Sequence, residues 1–458
     1  MEEKVQTLEE TMSSPRIRPA SLVVRGGPIH TFDPEGTVVD ALAVRDGRIV
    51  ALGADVVAGP DTEVLELAGR TVLPGINDSH LHAVWLGTRW PDTLIGPTGF
   101  AGGEEKAVDR RTAILRAGEL CASLGITSYT EPGLGPGETG CFAPEVLDEY
   151  ASLAAEGLLR SRVTVLRLFG LLDGVSSLAD FRRGLDSPMP NADPRWLNVH
   201  GVKIFADGIP PMRSAWTHHC YTDGSHGSLL VDSEEDLVAM IELAHEAGMV
   251  VGVHATGDRS IEAVLGSLRR GDHLVHGDLV TADQLARMAS RGIGLTTQPA
   301  IAMAMRAMVA EALGGEVAAR AWPLAEMLDS GVPLTLSSDA PVVTPDWRVH
   351  LAAAARLLGV SGVDSVLMER LLRCYTTTAA AQDGAADWKG SLTVGRVADF
   401  CVLDANPLEV AFAELPEVGV ELTVTGGRVV YSGEQLSAVD RQAHAGEMAG
   451  FGGGQEQH

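Results

Sequence analysis

The stretch "VLPGINDSHLHAVW", Val72 to Trp85, decides how the rest of the chain is read. An apolar run ends in two histidines one residue apart, His80 and His82. In a strand, side chains at i and i+2 share a face, so the two imidazoles would lie side by side at the end of a buried strand. Such a pair either holds a metal or is two polar core residues with partners, and the pair alone does not separate these readings. Further apolar runs follow: "GITSYTEP", "RVTVLRLFG", "VHGVKIFADG", "MVVGVHATG", "DHLVHGD", "GIGLTTQP" and "GVPLTLSSDAP". Helical patterns lie between them. "SEEDLVAMIELAHEAG" starts with Ser233 as N-cap and ends at Gly248, and "TADQLARMASRG" repeats the logic with Thr281 and Gly292. Eight strands alternating with helices over about 300 residues predict a (β/α)8 TIM barrel. An open doubly wound sheet is the competing architecture, but no G-x-G-x-x-G or Walker pattern follows a strand.

Outside the barrel region the texture changes. "SLVVRGGPIHTF", "ALAVRDGRIVALG" and "TEVLELAGRTVLPG" alternate apolar and polar residues around glycine turns, as hairpins do. "GSLTVGRVADFCVLD" and "VELTVTGGRVVYSG" repeat that texture near the other end. The expected organisation is a disordered lead-in over 1–18 and a small β-sandwich domain built from both chain ends, 19–74 plus 388–436. The barrel occupies 75–387, and a flexible glycine-rich tail runs over 437–458.

The chain has 458 residues, 45% hydrophobic and 21% charged, with a net charge of −26 spread along its length. That excess argues against nucleic acid or an anionic membrane as partner by bulk attraction. No apolar run reaches the length of a membrane span, and the first residues lack a secretory pattern, so a cytoplasmic location is the default expectation. Cys121, Cys141, Cys220, Cys374 and Cys401 are odd in number and show no CxxC spacing. They read as buried free thiols rather than a disulfide framework or a cysteine zinc site.

In a barrel, chemistry sits at the C-terminal ends of the strands. The ionisable residues ending or interrupting the apolar runs are His80, His82, Lys203, His254, His276 and Asp339. Lys203, inside "GVKIFADG", is the least ordinary, because a buried ammonium is costly unless paired or chemically altered. It either lies on a solvated edge, pairs with a carboxylate such as Asp207, or is desolvated enough to react with carbon dioxide and become an anionic ligand. His254 and His276 each read alone as hydrogen-bonded core histidines, and Asp339 reads alone as a turn residue before Pro341. Six residues of metal-ligand type at strand ends make a joint pattern that those separate readings explain poorly. Imidazole and carboxylate donors without thiolate suit zinc and neighbouring divalent metals.

These motifs resemble the amidohydrolase superfamily, in the family 3 branch that includes N-substituted formamide deformylases. "LPGINDSHLH" is similar to its strand-1 His-x-His, "VKIFADG" to its strand-4 lysine segment and "VHATGDRSI" to its strand-5 histidine. "HLVHGD" is similar to strand 6, "SSDAPV" to the strand-8 aspartate, and "GSLTVGRVADFCVLDANP" to the return into the β-domain. The resemblance covers about 20 to 435. It implies a divalent metal centre, most simply zinc, with one or two ions. His80 and His82 would bind the more buried ion, His254 and His276 a second, and an N6-carboxylated Lys203 would bridge them. Asp339 would ligate the first ion and carry the proton of an attacking hydroxide. Two departures stand out: "IPPMRSAWTHHCY" replaces a small-residue stretch after "FADG", and "VHGD" stands where "EHA" is common.

Residues after the strands are candidate substrate contacts: Trp85, Trp90, Arg213, Trp216, His218, His219, Gln298 and Trp347. For each tryptophan the alternative is loop packing, for His218 and His219 plain exposure, and for Arg259 a turn or helix start. "AIAMAMRAMVAEAL", 300–313, reads as a covering lid or an ordinary buried helix. The function expected is metal-dependent hydrolysis of a non-peptide C–N bond in a small organic molecule, by a possible homodimer. Deamination, ester or carbamate hydrolysis, and an inactive ligand-binding barrel are the alternatives.

Overall fold

The computed structural model describes residues 19–96, 99–100, 108–134, 145–171 and 174–433. The expected lead-in, the expected tail and Cys141 lie outside the described residues. Five strands open the fold: β1 (Leu22–His30), β2 (Val38–Arg45), β3 (Arg48–Leu52), β4 (Glu63–Glu66) and β5 (Thr71–Pro74). The chain then enters the barrel through β6 (Ile76–Asp78) and α1 (Ala83–Arg89). A two-residue pair, β7 (Ile95–Gly96) and β8 (Gly99–Phe100), precedes α2 (Arg110–Ser123). The remaining barrel strands are β9 (Ile126–Leu134), β10 (Arg162–Leu168), β11 (Leu197–Phe205), β12 (Val250–Ala255), β13 (His273–His276), β14 (Gly294–Thr297) and β15 (Leu334–Leu336). Helices between them include α3 (Glu145–Ala155), α4 (Leu178–Leu185), α5 (Glu234–Glu246), α6 (Asp258–Leu265), α7 (Ala282–Arg291) and α8 (Pro299–Leu313).

Every ladder in this second sheet is parallel, in the order β15-β14-β13-β12-β11-β10-β9-β6. Its strands are buried on both faces, as a sheet covered by helices requires. Local signals hold the helices in place. The Ser233 hydroxyl accepts from the N–H of Asp236, and Thr281 and Gln284 form a reciprocal cap that ends at Gly292. The ring closes beyond the ends of β15 and β6, where Asp339 N–H donates to the His80 carbonyl at 2.7 Å and His82 N–H to the Ala340 carbonyl at 2.9 Å. The architecture is a (β/α)8 barrel with an additional β domain.

That domain joins both ends of the described chain. β16 (Phe400–Leu403), β17 (Val420–Thr425) and β18 (Arg428–Ser432) complete an eight-stranded mixed sheet, ordered β18-β17-β16-β5-β1-β2-β3 with β4 beside β1. The strands expected as a sandwich form one continuous sheet folded over a shared core that includes Leu22, Ile29, Val44, Val72, Phe400 and Val424. The fold-over follows from β1: Leu22–Arg25 pairs with β4, whereas Ile29 pairs with β5 after an irregularity between Arg25 and Ile29. A buried Arg162–Asp399 pair ties this domain to the barrel, with two guanidinium–carboxylate bonds of 2.6 and 3.0 Å. The Arg162 guanidinium also lies over the Trp196 ring at 4.5 Å.

Three of the four described cysteines are buried free thiols; Cys220 is exposed, its Sγ 3.3 Å from His226 Nε2, because it sits on the surface segment after β11. Among the described residues, no helix is long and apolar enough to cross a membrane.

Candidate active site

The strand ends bring the ligand-type residues together. His80 and His82 follow β6, Lys203 lies on β11, His254 on β12, His276 ends β13, and Asp339 follows β15. His80 Nε2 and His82 Nε2 both lie 3.3 Å from Asp339 Oδ1. The His80 and His276 ring centroids are 5.4 Å apart, and those of His254 and His276 4.5 Å apart. Donor atoms of His80, His276 and Asp339 fall within 4.8 Å of one another. Lys203 is 1% exposed, with Nζ 4.9 Å from the Phe205 ring centroid, so neither the solvated edge nor an exposed lysine describes it. His276 and Asp339 both adopt left-handed backbone, φ 77 and 57, a conformation costing non-glycine residues roughly 1 kcal/mol or more.

Three buried carboxylates, none singled out as a site residue from sequence, hold this arrangement. Asp78 accepts from the N–H groups of His80 and Ser338, tying the ends of β6 and β15. Glu131 Oε2 accepts from the N–H groups of Ala83 and Val84 and from the Tyr150 hydroxyl, while its Oε1 lies 3.6 Å from His82 Nδ1. Asp207 accepts from the N–H groups of Trp216, Thr256 and Gly257 and from the Ser260 hydroxyl. Gly257 is required there: a Cβ would sit 2.0 Å from the Trp216 carbonyl. Burial pushes both Asp78 and Asp207 up to about 7, against the hydrogen bonds that favour their ionised forms.

The electrostatics suit cation ligation. Burial, reinforced by the Lys203 charge, holds His80 well below its ordinary value. Burial, the neighbouring His276 and Lys203 do the same to His254, and burial brings His276 to about 4. All three imidazoles are therefore neutral near pH 7, the form that ligates. Burial alone would raise Asp339, but His80, His82 and His276 hold it well below the usual carboxylate range, so it is ionised. Burial opposes charge on His82 as well, yet Asp339 and Glu131 raise it to about 9, so a cation bound at His82 displaces a proton. The Nδ1 atoms of His80 and His254 are buried without a hydrogen-bond partner, which a neutral ligand set facing a cation tolerates and an ordinary polar core does not. The donor set therefore fits a divalent metal of zinc type.

The site opens into a cavity of about 150 Å³. Its floor includes His80, His82, His254, His276 and Asp339, and its walls include Trp85, Phe100, Phe205, Ile209, Ile301 and Met305. Of the candidate substrate contacts, Trp85 lines this cavity. Gln298 instead accepts from His276 Nδ1 at 2.9 Å and donates to Ser337, so it faces a histidine. Trp90 packs half-buried on the barrel core, and Trp347 is buried with its indole donating to the Leu124 carbonyl. Arg213 bonds the Thr222 hydroxyl at the surface, and Trp216 stacks under the Arg259 guanidinium at 4.1 Å. His218 is exposed, while His219 lines a separate cavity of about 500 Å³ with Asp258, Arg306 and Trp322. That larger cavity contains none of the six ligand-type residues. The methionine-rich segment is α8, a partly buried helix whose Ile301 and Met305 line the cavity beside the ligand-type residues.

The chain is 28% identical to the "Putative amidohydrolase YtcJ" of Bacillus subtilis, over 89% of this chain and 98% of that protein. It is 24% identical to the "N-substituted formamide deformylase" of Arthrobacter pascens, over 90% and 98% of the two chains. A crystal structure of an uncharacterised metal-dependent hydrolase from Pyrococcus furiosus superposes with a TM-score of 0.66 at 21% identity, covering 85% of this chain and all of that one. Residues 97–431 match the family model described as "Amidohydrolase family". A barrel whose strand ends gather four histidines, a buried lysine and an ionised aspartate, matched over most of its length, belongs to the amidohydrolase family, in its family 3 branch.

Proposed function

We propose that this hydrolase cleaves an amide-type C–N bond of a small, largely apolar substrate. The observation that carries the reading is the convergence of His80, His276 and Asp339 donors within 4.8 Å on the floor of an apolar-walled cavity. His80, His82, His254, His276 and Asp339 would hold zinc, and Lys203 in carboxylated form would add a bidentate anion. A divalent cation there supplies Lewis acidity and lets water ionise near neutral pH.

The chain's own residues do the rest. Asp339, ionised and fixed by its backbone bond to His80, takes the proton of the attacking water. As the water oxygen bonds to the carbonyl carbon and the C–N bond breaks, the same carboxyl returns that proton to the leaving nitrogen. Gln298 fixes the His276 ring, and Asp78 fixes the strand ends that carry His80 and Asp339. Trp85, Phe205 and Met305 exclude bulk water and hold the apolar part of the substrate.

The test is metal content per chain for wild type and Lys203→Ala, purified with zinc and bicarbonate, alongside release of amine from N-formyl and N-acyl arylalkylamines. Expected are near two ions per wild-type chain, fewer in the variant, and amine release that chelation abolishes. One ion in both proteins would make the centre mononuclear and remove the carbamate. No ion in either, or loaded protein that cleaves no amide in the panel, would overturn the proposal.

A further inference from the structure

One acid in the reaction cavity has no part in the chemistry above. Asp278 lines the cavity two residues beyond His276 and is 5% exposed. The chain reaches it through consecutive left-handed residues, His276 and Gly277, with φ 77 and 65. This turn at the end of β13 is pinned on both sides. Gly277 N–H donates to the Ala255 carbonyl at 3.1 Å, and Trp322 N–H donates to the Asp278 carbonyl at 2.7 Å. Asp278 is therefore a built part of the wall rather than a mobile loop acid.

Its surroundings are unusual for a buried carboxyl. Among the described residues no arginine or lysine pairs with it, and the nearby charged groups are the carboxyls of Asp207 and Asp339. The Trp322 indole is its side-chain partner. The other polar wall residue outside the candidate ligands, Thr256, spends its hydroxyl on the Gly208 carbonyl at 2.6 Å. The rest of the described lining is apolar. Outside the candidate ligands, this buried carboxyl is the acidic group of the described lining that can accept from a cationic donor on a bound molecule. The cavity, about 150 Å³, has room for a group the size of one benzene ring.

We infer that Asp278 is the specificity-determining residue of this cavity, pairing with a cationic nitrogen, an ammonium or amidinium, that the substrate carries beside an apolar group of about one ring. This names the substrate class for the amide hydrolysis proposed above and rests on that reading for its role, but not for its test. A positive nitrogen set against Asp278 places the neighbouring carbonyl over the floor of histidines. The apolar walls then select against larger or multiply charged molecules.

The experiment is calorimetric titration of the zinc-loaded full chain with benzylamine, benzyl alcohol and benzoate at neutral pH. Benzylamine, cationic there, is expected to bind at least about tenfold more tightly than benzyl alcohol, and benzoate more weakly still. Asp278→Asn, of the same volume, is expected to erase the preference for benzylamine while keeping metal content per chain. Asp278→Ser serves as the second variant if the first fails to fold, with the same expectation. No preference in wild type, or a preference kept in either folded variant, would overturn the inference. So would loss of metal in either variant, which would make Asp278 a ligand. Asp278-dependent amine binding by a chain that cleaves no amide would sink the hydrolytic reading and leave this one standing.

Discussion

Gln298 shows how a single side chain sets the chemistry of its neighbour. Its amide oxygen takes the Nδ1 proton of His276, which leaves Nε2 as the lone-pair donor, and its amide nitrogen is held in turn by Ser337. Gln298→Leu keeps the bulk but frees the ring, and is expected to weaken zinc binding by about 10- to 100-fold. Competition with a fluorescent chelator measures this, and unchanged affinity would remove Gln298 from the site's support. Gln298 stood out in sequence by its place after a strand, yet which way it faces depends on the rotamer and on a neighbour from another strand. The same limit hides Glu131, Asp78 and Asp207. As letters they are ordinary acids near turns. Their role is to accept backbone N–H groups from segments up to 260 residues away, and no local pattern records that. The six ligand-type residues were legible for the opposite reason: each interrupts or ends an apolar run, although His80, His82 and Asp339 lie just past β6 and β15, where strand period no longer sets the face.

At the scale of elements, the barrel strands were readable because each is a short apolar run followed by a helical pattern, several of them capped, as at Ser233 and Thr281. The candidate tryptophans were readable only in part: Trp85 lines the cavity, but Trp90, Trp216 and Trp347 do not, since an aromatic residue after a strand serves equally to pack or to start a helix. Trp347 begins an outer helix, Trp347–Leu357, and turns into the core. Below the ring, a buried pair links two segments outside any strand: Lys389 Nζ lies 2.5 Å from Asp383 Oδ2, and Asn77 donates to the same oxygen. Burial alone would raise Asp383, but Lys389 and Asn77 hold it below its ordinary value. A carboxyl depressed in the folded state stabilises fully above its unfolded value, about 3.9, and loses that contribution as pH falls through the lower folded value. Wild type is therefore expected to lose stability steeply below about pH 4. Asp383→Asn should be less stable at neutral pH and show a shallower acid limb in urea titrations. Parallel acid limbs for the two proteins would show that this pair does not contribute.

At the scale of the whole molecule, the β domain and the barrel depend on pairings between residues far apart in the chain. β5 and β16 run antiparallel with Thr71 opposite Leu403, and Arg162 of β10 reaches Asp399 just before β16. The alternating texture of both ends was visible in sequence, but register and the sharing of β1 between two partners were not, because both are set by contacts across the full chain. Asp399→Ala strands a buried guanidinium and is expected to cost about 3–5 kcal/mol of stability. Arg162→Met with Asp399→Leu removes both charges and should recover much of that loss in thermal unfolding; a double variant as unstable as the single would assign the effect to packing alone. The closure of the barrel carries a further consequence. Its first and last strands meet through His80 and Asp339, so the donors on either side of the seam leave the ribosome at widely separated times. A nascent chain halted before Asp339 displays histidines but no centre. On the function proposed above, a cation held across this seam would be acquired only after the last strand has docked.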